Sequence, residues 1–121
     1  MNVLALAAVL AMQGGVAAQP DTTVGYVELA TGDADAALVA IAQSDVDERD
    51  PAILINEGVA LARLGEYEAA RARFEMALTD AERMRLETAS GDWVDSHRLA
   101  KQGIALLENG DFQRYVAINA R

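Results

Sequence analysis

The residues that could do chemistry are few. The chain has one histidine, His97, directly after Asp95 and Ser96. Carboxylate, hydroxyl and imidazole are the parts of a nucleophile, base and orienter, but three consecutive residues cannot place themselves in that relay. They read instead as the solvated first turn of a helix. Asp45, Asp47, Glu48 and Asp50 alternate in the manner of a calcium loop. They lack the central glycine and the closing bidentate glutamate that such a loop uses, and read as a charged, solvated connector. The glycines are isolated, and none forms a phosphate-cradling turn. With no cysteine there is no disulfide, thiolate ligand or cysteine nucleophile. The expectation is a protein with no catalytic residue, no metal site and no cofactor, and no enzyme.

Trp93 is the one tryptophan. Such a residue can anchor a partner surface, since tryptophan is enriched in binding hot spots. It can equally fold back and cover a gap in the packing of its own chain.

The elements that must position these residues are organised around Pro51 to Leu78, PAILINEGVALARLGEYEAARARFEMAL. Asp50-Pro51 is a helix start, because proline is preorganised for the first turn. Ile53, Leu54, Val59, Ala60, Leu61 and Leu64 give a first apolar helix. Gly65 ends it by taking the left-handed conformation. Tyr67, Ala70, Phe74, Ala77 and Leu78 follow the helical period in a second helix. Gly58 sits mid-helix, where it costs about 1 kcal/mol against alanine. Close approach of the partner helix at Ala70 would explain it.

The same residues recur upstream. Gly25 and Gly58, Gly32 and Gly65, Asp33 and Glu66, Ala37 and Ala70, and Ile41 and Phe74 are each 33 apart. The corresponding helices are predicted over about Thr22 to Thr31, opened by Asp21, and about Asp33 to Gln43. Downstream the period breaks. Gly103 and Gly110 lie 45 beyond Gly58 and Gly65, so an insert occupies Met84 to Val94. Ser90-Gly91-Asp92 is turn chemistry, which predicts a hairpin of Arg85 to Thr88 against Trp93 to Val94. Asp95 or Ser96 then caps a helix running to about Asn109. A last helix spans Asp111 to Ala120, with Phe112, Tyr115, Val116 and Asn119 at helical spacing.

Leu54-x2-Glu57-Gly58-x2-Leu61 followed by Ala70-x3-Phe74-x2-Ala77 resembles the tetratricopeptide repeat, a helix pair of about 34 residues. Glu57 stands where that family has leucine, and Glu82 where proline is usual. The resemblance implies an all-α fold: a solenoid of three antiparallel helix pairs, over about 19–50, 51–83 and 95–121, with the hairpin of about 84–94 inserted. It also implies a concave surface lined by the first helix of each pair, through Tyr26, Leu29, Ile55, Val59, Ala62, Arg63, Ile104 and Leu107. That stripe is mostly apolar and serves either as a groove for a polypeptide or as core under a terminal helix.

Hydrophobic residues make up 52% of the chain and aromatics only 5%, so the helices pack through alanine, leucine and valine. The net charge of −9 argues against nucleic acid and anionic membrane surfaces as partners. The apolar run Val3 to Met12, then Gly14-Gly15 and Val16-Ala17-Ala18, reads as a signal peptide over 1–18, although no Lys or Arg precedes the run. The run is too short to span a bilayer, which takes about 20 residues. The expectation is a periplasmic or secreted bacterial module that binds a protein or peptide partner. The alternative is a structural envelope subunit that self-associates.

Overall fold

The computed structural model describes residues 23–112. These form five helices and one two-stranded sheet: α1 (Tyr26–Ala30), α2 (Ala34–Ala42), α3 (Pro51–Arg63), α4 (Tyr67–Thr79), β1 (Arg85–Glu87), β2 (Trp93–Asp95) and α5 (Ser96–Glu108). The expected signal segment, its cleavage point, the Asp21 cap and the last helix beyond Phe112 lie outside the described residues.

Aspartates open three of the helices. The carboxylates of Asp33, Asp50 and Asp95 accept from Ala36 N, Ala52 N and His97 N, at 2.9, 2.8 and 2.7 Å. Each satisfies an amide that the helix itself leaves without a partner. Helices α1 and α3 end on the same turn. Gly32 and Gly65 have φ of +87° and +84°, a conformation open to glycine because it lacks a Cβ. The next amide then reaches back: Asp33 N donates to Glu28 O at 2.8 Å, and Glu66 N to Leu61 O at 2.9 Å.

The core gathers Leu29, Ala37, Leu54, Ile55, Val59, Ala70, Phe74, Ala77, Leu86, Leu99 and Phe112 with smaller neighbours. Phe74 and Phe112 are its largest wholly buried side chains. A Cβ placed on Gly58 would come within 2.7 Å of the Phe74 ring, and one on Gly103 within 2.6 Å. The contact that Gly58 makes possible is thus with Phe74, one turn beyond the expected Ala70. Thirty-three residues before Gly58, a Cβ on Gly25 would come within 3.1 Å of Ile41 Cδ1. The glycine–hydrophobe contact recurs at the same spacing.

Gly25 differs in conformation. It is not mid-helix: it has φ of +92° and caps α1. The first helix therefore begins at Tyr26 and not near Thr22.

The hairpin pairs Arg85 with Asp95, Leu86 with Val94 and Glu87 with Trp93, antiparallel. Against expectation the first strand stops before Thr88, and the second extends through Asp95. Thr88 turns the chain instead: its N–H donates to Asp92 O and its carbonyl accepts from Gly91 N, both at 2.8 Å. Ser96 clasps the base. Its N–H donates to Met84 O at 2.7 Å, and its hydroxyl accepts from Met84 N at 3.0 Å. Leu86 is fully buried, while Trp93 is 43% exposed. The residue that covers the packing beneath the insert is Leu86, not Trp93.

Candidate functional site

The stripe that the sequence left open between groove and core is largely buried. Leu29, Ile55, Val59 and Ala62 are buried, and Tyr26, Arg63, Ile104 and Leu107 are half-buried. The reason lies in α3. Every residue from Pro51 to Ala62 except Glu57 and Leu61 is buried, and a helix that is apolar around its whole circumference is an interior helix. Leu29 and Arg63 do meet: Arg63 Nη1 donates to Leu29 O at 2.7 Å, tying α3 to α1. In this arrangement Arg63 holds two helices together. Trp93 stands apart from the stripe, on the hairpin.

One member of α3 was not foreseen. Asn56 is fully buried, and among the described residues neither its amide nitrogen nor its amide oxygen has a hydrogen-bond partner. An unpartnered buried polar group costs about 1–3 kcal/mol.

Asp95, Ser96 and His97 take structural roles. Asp95 caps α5 and receives Arg83 Nε at 2.6 Å, while the Ser96 hydroxyl is held by Met84 N. Burial works against the Asp95 carboxylate, but hydrogen bonds from Arg83 and from the His97 amide outweigh it and hold its pKa below the ordinary value. Among the described residues no group of three or more His, Cys, Asp or Glu is placed to hold a metal ion. No described helix is long and apolar enough to cross a membrane.

The 44–50 connector divides three of its carboxylates between two cavities. Asp47 and Asp50 border one of about 290 Å³, with Arg49, Pro51, Asp80, Glu82 and Met84. Glu48 borders the other, of about 320 Å³, with Ile41, Ala42, Ser44, Val46, Ile53, Glu57 and Arg73. The second is the better-built site. Ile53 and Glu57 lie four apart on α3 and so share a face. Ser44 is fixed by its hydroxyl, which donates to Ile41 O at 2.8 Å. Arg73 reaches across from α4, with Nε 3.4 Å from Glu57 Oε1 and Nη1 3.5 Å from Met76 Sδ. Burial pushes the Glu57 carboxyl above its ordinary pKa; Arg73 opposes this and the charge of Glu48 adds to it. The sequence carried one signal of this site, the glutamate at 57 where the resembling repeat has leucine.

No protein-family model, no curated protein and no solved structure matches this chain.

Proposed function

We propose that the chain is a non-catalytic module of the bacterial cell envelope that binds another polypeptide, built as a tetratricopeptide-like solenoid of stacked helix pairs. The observation that carries this reading is the contact of Gly25 with Ile41 and of Gly58 with Phe74, 33 residues apart. Arrays of stacked helix pairs leave extended outer surfaces, and binding is what such arrays do with them. The segment Val3 to Ala18 supports export. The test is capture from the native envelope fraction with the full chain as bait, after cross-linking. A polypeptide retained in fixed ratio and displaced by untagged chain supports the reading. Retention of nothing, with or without cross-linker, sinks it. Export is checked by intact mass on chain recovered from its host, where a start at Gln19 is expected.

A second reading, a self-associating structural subunit, draws on Val27 and Val39, which stand 55% and 52% exposed on α1 and α2. Light scattering across a concentration series separates the two readings. A molar mass that climbs with concentration favours the subunit, and a constant monomer mass favours the module.

A further inference from the structure

From the cavity between the 44–50 connector, α3 and α4 we infer that the partner is gripped through a lysine: its ammonium enters between Glu48 and Glu57, and its methylene stem lies along Ile41, Val46 and Ile53. The inference rests on the polypeptide-binding reading and names the chemistry of the contact.

Charge points to a cation. Two carboxylates and one guanidinium border the cavity. Arg73 is engaged with Glu57, and Glu48 has no ion pair with any described residue. The lining therefore carries one negative charge more than it balances. Burial already disfavours the Glu57 charge, and Glu48 adds to the penalty. A second cation relieves both, because an opposite charge at close range favours the ionised carboxylate.

Shape and donor geometry select lysine. Ile41 and Ile53 form a buried wall, and a long amphipathic side chain buries its stem on such a surface while its charge stays at the polar end. Arginine binds best as a planar fork on a single carboxylate, and at Glu57 one oxygen already faces Arg73 Nε. An ammonium is a compact point charge with three rotatable donors. Its donors can turn toward more than one carboxylate of the lining. The strong acidity of the whole chain brings basic segments toward it.

The test titrates the isotope-labelled full chain with three probes, followed by amide resonances. The probes are acetyl-Gly-Lys-Gly-amide, the same peptide with its lysine Nε-acetylated, and n-butylamine. The lysine peptide is expected to shift Ile41 to Val46, Ile53 and Glu57 saturably, and added salt to weaken it. The acetylated peptide is expected to bind at least tenfold more weakly. Glu48→Gln, an exposed change, is expected to weaken the lysine peptide several-fold with the melting temperature unchanged. Equal shifts from both peptides, no shifts at the cavity, or full affinity in Glu48→Gln overturn the inference. Butylamine binding as tightly as the peptide also overturns it, by making a free amine the ligand. If envelope capture succeeds equally with Glu48→Gln, polypeptide binding stands and this site falls. If capture fails while the lysine peptide binds here, the cavity chemistry holds and the polypeptide reading falls.

Discussion

Phe74 occupies the space that a side chain at Gly58 would need: a Cβ there would lie 2.7 Å from its Cε1. Gly103 approaches the same ring from α5, where a Cβ would lie 2.6 Å from its Cζ. Gly58→Ala gains about 1 kcal/mol of helix propensity and loses about 1–3 kcal/mol to overpacking. A net fall in stability is expected on urea denaturation. In a Phe74→Leu background the same change is expected to cost much less, because the smaller side chain leaves room. Additive effects of the two changes would mean that the glycine and the ring do not press on one another.

Val59 is wholly buried in α3. Val59→Arg forces an unpaired charge into the core, where desolvation greatly exceeds what a domain of about 5–15 kcal/mol can absorb. Loss of the helical circular-dichroism signal is expected at room temperature. A well-folded variant with the parent melting temperature would place Val59 on a surface and restore the groove.

Asn56→Leu is expected to stabilise the chain, by about 1–3 kcal/mol. Both amide atoms of Asn56 are buried without partners among the described residues, so the substitution removes a penalty and breaks no hydrogen bond with any of them. The comparison is the urea midpoint at constant m-value. A loss of stability would reveal a polar partner for the amide.

Two carboxylates are expected to respond to pH with opposite signs. Asp95 is held below its ordinary pKa, so its contribution is complete above that value and is lost as pH falls through the lower, folded one. The stability gap between the parent and Asp95→Asn should therefore narrow in acid. At neutral pH, Asp95→Ala should cost about 1 kcal/mol through the lost cap. Glu57 is raised. Its contribution is complete below its ordinary value and is lost as pH climbs through the higher, folded one. Against Glu57→Gln, the parent should do progressively worse as pH rises above the ordinary glutamate pKa and through the higher, folded one. A flat difference in either series would show that the carboxylate titrates alike in the folded and unfolded chain.

Much of the fold was legible because its boundaries are set by local chemistry. Asp50-Pro51 and Gly65 mark both ends of α3, and Ser90-Gly91-Asp92 marks the hairpin turn. Gly25 misled because the 33-residue offset carried the mid-helix role of Gly58 onto it. Matching positions can share a contact without sharing a backbone conformation. The stripe stayed open between groove and core for another reason. The apolar residues of α3 surround the helix, so periodicity could not choose which face is open. The cavity was out of reach because Glu48, Glu57 and Arg73 come from three segments, and only tertiary packing brings them together.

Trp93, the one indole of the chain, stands on β2 at 43% exposure, outside the packing that surrounds Phe74. Its emission therefore reports on the hairpin, while far-ultraviolet dichroism reports on the helices. Two probes of one denaturation thus watch different parts of the molecule, and coincident transitions are the signature of a single cooperative unit. With Ser96 clasping Met84 at the base of the hairpin, the two curves should superimpose. An emission change that runs ahead of the dichroism would show the insert opening as a flap while the helices stay folded.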